Sequence, residues 1–289
     1  METVNADSTM PSPEKEAMRR FLTGVFTAAI LALMGLSVAP AAPLVLPDDP
    51  VAKGDAIARE AERRDRGFGD TRAVLEMILE NRHGQVSRRR LRIQTLEVPD
   101  EGDGDKSLAV FDQPRDIKGT ALLSFAHILR PDDQWLFLPT LKRVKRISST
   151  NRSGPFVGSE FAYEDMTAQE LKKYTYKWLR DAPCGTLTCF VVERRPRYSK
   201  SGYTRLVTWY DTAEYRIWRV DYYDRKNALL KTLTLSDYRQ YLGRYWRPHL
   251  LDMVNHRTGK KTRILYERYR FRTGLTDRDF NRTALARAR

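Results

Sequence analysis

The sequence predicts a mainly β fold: a strongly curved, antiparallel, half-open β-barrel of about 11 strands with helices covering its concave face. Three observations carry this reading. Short apolar and β-branched runs recur along the chain between clusters of Gly, Pro, Asp and Asn. Several runs alternate with a period of two: Trp218, Val220 and Tyr222 against Arg219 and Asp221, and Leu206, Thr208 and Tyr210 against Val207 and Trp209. Other runs, such as FVVE and TLTL, are apolar on both faces, which calls for a cover on the second face of the sheet.

The elements follow in order. From Asp48 to Arg66 the chain is rich in Ala, Glu and Arg, with a thin apolar stripe of Val51, Ala52, Ile57, Ala58 and Ala61; one amphipathic helix is expected, closed by Gly67 and Gly69. The strand-like runs are TRAVLEMILENR, SRRRLRIQTLEV, KSLAVFD, TALLSFAHIL, QWLFLP, YTYKWLRD, CFVVERR, TRLVTWYD, YRIWRVDYYD, ALLKTLTLSDY and KTRILYERYRF. Polar connections such as PDEGDGDK, RPDDQ, YDRKNA and HRTGKK join neighbours as hairpins of a meander. Only SSTNRSGPFVGSEFAYEDMTAQELKK interrupts the series. Thr167 and Glu170 in it have the spacing of a capping box, so a short helix and a mobile cover are expected there.

Composition narrows the partners. The chain has 51 Lys and Arg against 37 Asp and Glu, a formal net charge of +14, which favours anionic partners. Residues 1–41 read as a signal peptide, with Arg19-Arg20, an uncharged segment from Phe21 to Leu36 and an A-x-A pattern at Ala39 and Ala41; Met18 is the more natural start. The apolar segment is shorter than the roughly 20 residues of a membrane-spanning helix. Export to the periplasm disfavours nucleic acid and leaves lipid and envelope proteins as partners. Residues 42–289 then form a single β-domain. Cys184 and Cys189, in PCGTLTCF, fit a disulfide across a tight hairpin in an oxidising compartment.

The residues offer little to a catalyst. His249 and His256 lack the i, i+4 spacing of a helical zinc pair, and Ser159 in VGSE has no evident base. Gly154 and Gly158 are spaced one residue short of a phosphate loop and no lysine follows. Glu160, Glu164 and Asp165 are read as capping or solvated carboxylates. No enzyme activity, cofactor or metal is expected.

The stretch from Trp135 to Met166 joins grease to charge. Lys142, Arg143, Lys145 and Arg146 serve either as a solvated strand edge that resists aggregation or as contacts for anionic head groups or an acidic partner. Trp135, Phe137, Phe156, Phe161, Tyr163 and Met166 are candidate core residues and equally candidates for the wall or lid of an apolar cavity.

The block WLFLPTLKRVKRI followed by GSEFAYED resembles the characteristic block of the exported outer-membrane lipoprotein-sorting proteins, relatives of the LolA/LolB carriers. Trp246-Arg247-Pro248 and the closing Leu275-Thr276-Asp277-Arg278-Asp279-Phe280 with Leu285 extend the likeness. It implies a curved sheet enclosing an apolar cavity for acyl chains, and a periplasmic carrier of lipid or acylated lipoprotein that works beside an RND/MMPL-type inner-membrane transporter. On this block Trp135, Phe137, Gly158, Phe161, Tyr163 and Asp165 become framework and pocket-lid candidates. The alternative is a non-catalytic adaptor that docks a transporter through the basic strand edge; a third reading is a hydrolase of an anionic polymer. The length, the cysteine pair and the basicity depart from a minimal lipoprotein carrier.

Overall fold

Asp49 opens the first helix, α1 (Pro50–Asp65): its carboxylate accepts from the backbone N–H groups of Val51 and Ala52 at 3.1 and 2.8 Å, and Pro50 occupies the first turn, where its missing N–H costs nothing. The structure is a computed structural model, and it describes residues 45–99, 103–128 and 130–287. The expected signal peptide, residues 1–41, lies outside the described residues. The compact unit begins at Val45, and among the described residues no helix is long and apolar enough to cross a membrane.

Thirteen strands form one antiparallel sheet: β1 (Asp70–Glu80), β2 (Val86–Leu96), β3 (Asp103–Gln113), β4 (Ala121–His127), β5 (Asp133–Leu138), β6 (Arg143–Arg146), β7 (Tyr174–Cys184), β8 (Leu187–Pro196), β9 (Tyr203–Asp211), β10 (Ile217–Asp224), β11 (Leu229–Tyr241), β12 (Tyr245–Asn255) and β13 (Lys261–Phe271). All eleven expected runs are strands. β6, four residues long, is the strand edge expected around Arg143–Arg146, and the one addition is β12, whose Pro248 argues against a strand. Pro248 is tolerated because it pairs with Tyr238 of β11, whereas the ladder with β13 runs only from Leu250 to Val254.

The strand order is β6-β5-β4-β3-β2-β1-β13-β12-β11-β10-β9-β8-β7. From β1 the chain steps outward to β6, crosses to β7, and steps back until β13 pairs with β1. The sheet is not closed: β6 and β7 are its two edges. Bulges at Val74, Leu91, Trp178 and Tyr223 bend the strands locally. The segment 147–173 is the crossover between the two edges. It carries three short 3₁₀ turns, at Phe156–Gly158, Tyr163–Met166 and Leu171–Lys173, and no α-helix.

Two cores result. On the inner face α1 and the crossover pack over Leu75, Met77, Leu91, Val192, Leu206 and Met253. On the outer face Leu108, Val110, Ala121 and Leu123 are covered by Leu275, Phe280 and Leu285 of the C-terminal tail, which ends in a second short helix, α2 (Arg282–Arg287). β3 and β4 bury both faces for this reason. The cover of the inner face is therefore one helix and a crossover, and not several helices. Gly54 lets α1 lie on the backbone of β7, since a Cβ there would sit 2.5 Å from the Trp178 nitrogen. Cys184 and Cys189 form the expected disulfide across the β7–β8 hairpin, with Cα atoms 5.9 Å apart.

Candidate functional site: an apolar cavity under a strapped crossover

The crossover is tied to the sheet by buried polar groups. Glu164, 2% exposed, accepts from the Tyr198 hydroxyl at 2.7 Å, from the Gly202 N–H at 2.8 Å and from the Ser201 hydroxyl. Asp165 accepts from the Ala162 N–H at 2.7 Å and the Tyr203 hydroxyl at 2.9 Å, and pairs with Lys231 at 2.6 Å. Glu160 accepts from the Asn255 amide at 2.6 Å. Glu164 is a buried strut, Asp165 caps its turn as expected and also pairs inward, and Glu160 is half-buried. At the other end Asp132 receives Arg152 and Lys173, all three buried. Such arrays cost desolvation energy and hold one geometry only while every partner is present.

The expected capping box is absent. Thr167 donates to the Glu164 carbonyl at 3.1 Å, and Glu170 turns inward to accept from the Asp105 N–H at 3.0 Å. Ser159 donates to the Phe156 carbonyl at 2.8 Å, a structural use of the hydroxyl. His249 lies between the Tyr266 carbonyl and the Tyr241 hydroxyl, and burial lowers its pKa.

Between the sheet, α1 and the crossover lies a cavity of two adjoining chambers. The larger, about 490 Å³, is walled by α1, the 168–171 part of the crossover and inner-face side chains such as Tyr176, Tyr210 and Tyr266. The smaller, about 230 Å³, is lined by Leu75, Met77, Leu91, Phe161, Met166 and Ile264 among others. Ile93, Thr95, Asp105, Ala168 and Tyr266 belong to both walls. Together they match the size of small-ligand sites, roughly 300–1,000 Å³; the smaller chamber is mainly apolar, while the larger one carries charged side chains in its wall.

The candidate residues divide. Phe161 and Met166 line the smaller chamber. Phe156 and Tyr163 stand behind it, their rings 5.8 Å apart and Phe156 also 5.6 Å from Phe111. Trp135 and Phe137 are on the outer face with the C-terminal tail, away from the cavity, because they occupy the outward positions of β5 while Leu136 points inward. Lys142, Arg143, Lys145 and Arg146 are exposed on the edge strand and the turn before it, outside both chambers; Arg146 pairs with Asp133.

The charged groups that do reach the cavity were not singled out from the sequence. Arg66 joins Glu62 at 2.6 Å and Glu170 at 3.2 Å. Burial, with the like charge of Glu170, pushes Asp105 up to about 7. Arg194, 5% exposed, lies on the inner face of β8 in line with Phe190 and Val192, and its guanidinium is 5.0 Å from the Tyr174 ring centre. The alternation Phe190, Val192, Arg194 is the one signal in the sequence that an arginine points inward.

The chain thus combines a half-open antiparallel sheet, plugged on one face, with a cavity under the plug. A family profile described as an uncharacterized protein matches residues 103–287. A domain from Vibrio parahaemolyticus, named for outer membrane lipoprotein sorting, is 52% identical; the match covers 82% of this chain and 99% of that one, with a TM-score of 0.79. A DUF1329 family protein from Desulfovibrio piger is 28% identical over 82% of this chain and 99% of its own, with a TM-score of 0.77. A LolA superfamily protein from Nitrosomonas europaea, 19% identical over 80% of this chain and 98% of its own, shares the fold with a TM-score of 0.64. No protein of curated function matches. The chain belongs to the outer-membrane lipoprotein-sorting protein family.

Proposed function

We propose that the protein is a non-catalytic periplasmic carrier that takes a lipid, the acyl chains of a lipoprotein or another hydrophobic cargo into the two-chambered cavity and moves it across the envelope. The observation that carries this reading is the cavity itself: its inner chamber is lined mainly by aliphatic and aromatic side chains beneath a crossover fixed to both halves of the sheet. Desolvating an acyl chain there gains about 0.8 kcal/mol per methylene, so a long chain is held without any chemistry at the site. The likeness to a domain named for outer membrane lipoprotein sorting points the same way.

Purification from the periplasm followed by native mass spectrometry tests the reading. A co-purifying lipid, lost when the cavity is filled by a bulky side chain, is the expected result. Protein that carries no lipid and fails to bind a neutral apolar dye overturns it.

The exposed cations Lys142, Arg143, Lys145 and Arg146 fit a second part of the proposal, docking to an anionic membrane surface or to an RND/MMPL-type inner-membrane transporter. Reversing all four to Glu is expected to abolish that contact while dye binding persists. An adaptor without cargo is the competing reading; it predicts the same loss of contact with no dye binding in the parent protein.

A further inference from the structure

Six arginines line the larger chamber, and five of them are matched. Arg64 pairs with Glu60 at 2.7 Å and Glu214 at 2.9 Å, Arg66 with Glu62 and Glu170, Arg216 with Asp211 at 2.7 Å, and Arg247 with Asp65. Arg244 donates to the carbonyls of Arg63 and Arg64 at 2.9 and 3.3 Å. Arg194 is the exception. Among the described residues it has no ion pair and no hydrogen-bond acceptor, and its Nε is buried without a partner. Its strongest electrostatic neighbours are four tyrosines, Tyr210, Tyr174, Tyr222 and Tyr176. Glu62 also acts on Tyr176 and Tyr210, but it is already bonded to Arg66 at 2.6 Å.

A guanidinium does not give up its proton in a protein, so Arg194 keeps its charge, buried in the wall of the larger chamber. An unpaired buried charge is among the costliest features a fold retains. The planar fork of Arg binds a carboxylate or phosphate with two parallel N–H···O bonds, and the cavity beside it accepts an apolar tail. Resting on the carrier reading, we infer that Arg194 is the receptor for the acid head of the cargo: the ligand is an anionic amphiphile that enters with its carboxylate or phosphate against Arg194 and its chain along the inner face of the sheet. The head group is then neutralised inside the protein and not only at the basic edge strand.

Displacement of the neutral dye N-phenylnaphthylamine from the full chain tests this, with palmitate, lysophosphatidylglycerol and uncharged monopalmitoylglycerol as competitors. The parent protein is expected to prefer the acids over monopalmitoylglycerol by about 10- to 100-fold, the worth of a charge-assisted hydrogen-bond pair. Palmitate alone in that preference identifies a carboxylate, and both acids identify a general acid head. Arg194→Met removes the preference while keeping dye and monopalmitoylglycerol binding, and raises the melting temperature because a buried unpaired charge is gone. Arg194→Lys keeps part of the preference, since it holds the charge without the fork, and it also provides a folded reference should the Met variant misfold. Equal competition by acids and monopalmitoylglycerol in the parent, or an acid preference unchanged in both variants, overturns the inference and leaves the carrier reading intact. Failure of the dye and all three competitors to bind the parent overturns the carrier reading instead.

Discussion

Lys231 of β11 and Asp165 of the crossover meet at 2.6 Å with both side chains 4–5% exposed, so a buried ion pair fastens the cover of the cavity to the sheet. Removing one member leaves the other charge buried and unmatched. Lys231→Met is expected to cost about 3–5 kcal/mol, and adding Asp165→Asn to it to restore part of that loss. Urea denaturation of the single and double variants measures both; a single variant as stable as the parent would show that the pair holds nothing.

Asp132 fixes the two ends of the crossover through Arg152 and Lys173. Asp132→Asn strands two buried cations, and a loss of about 3–5 kcal/mol is again expected. Limited proteolysis should then cut within 147–173 before it cuts the β-hairpins, because the remaining contacts of the crossover no longer oppose local opening.

Asp105 sets a pH dependence opposite to that of most carboxylates. Its folded pKa, raised to about 7 from an ordinary 3.8, means that the native protein binds a proton more tightly than the unfolded chain. Its contribution to stability is therefore at its best below the unfolded value and declines as pH rises through the window up to about 7. Asp105→Asn keeps an acceptor for the Val98 N–H. It should raise the melting temperature at about pH 8 and leave it nearly unchanged at about pH 4, each kcal/mol appearing as roughly 2–4 °C.

Gly54 opposes two small effects. Alanine in a helix interior is worth about 1 kcal/mol over glycine. The added methyl would meet the β7 backbone at 2.5–2.8 Å, and overpacking of this kind costs about 1–3 kcal/mol. The clash wins, so Gly54→Ala should lower the melting temperature; a rise would mean that α1 can back away from β7 freely.

The two cores give a test of which aromatics serve the cavity. Ala168 stands on the wall shared by both chambers, and Ala168→Phe should reduce dye binding at least tenfold with little loss of stability. Trp135→Ala, on the outer face, should lower stability by about 1–3 kcal/mol and leave dye binding unchanged. Equilibrium binding and thermal melts on the same samples separate the two.

Much of the sheet was legible because period-two patterning and turn residues are local signals, and all eleven runs from TRAVLEMILENR to KTRILYERYRF became strands. β12 was hidden by Pro248, whose harmlessness depends on which neighbour the strand lacks at that point. The faces of Trp135 and Leu136 were not legible: both are apolar, and only the outer plug formed by Leu275, Phe280 and Leu285 decides which looks inward. Glu164 and Asp165 looked like surface charge because their partners Tyr198, Ser201, Tyr203 and Lys231 lie far along the chain. The disulfide, by contrast, spans five positions and was visible at once.

The route of the chain through the sheet also sets an order of folding. Each half is a meander whose hairpins need only near neighbours, and such contacts form early at little entropic cost. The seam is different: Thr71 pairs with Phe271 and Glu80 with Lys261, so the first and last strands wait for everything between them. Closure of that seam and seating of 147–173 both bring distant parts together, so by loop-closure entropy the chamber is expected to form late. A chain caught before that moment exposes the apolar inner face with no roof over it, a surface open to aggregation.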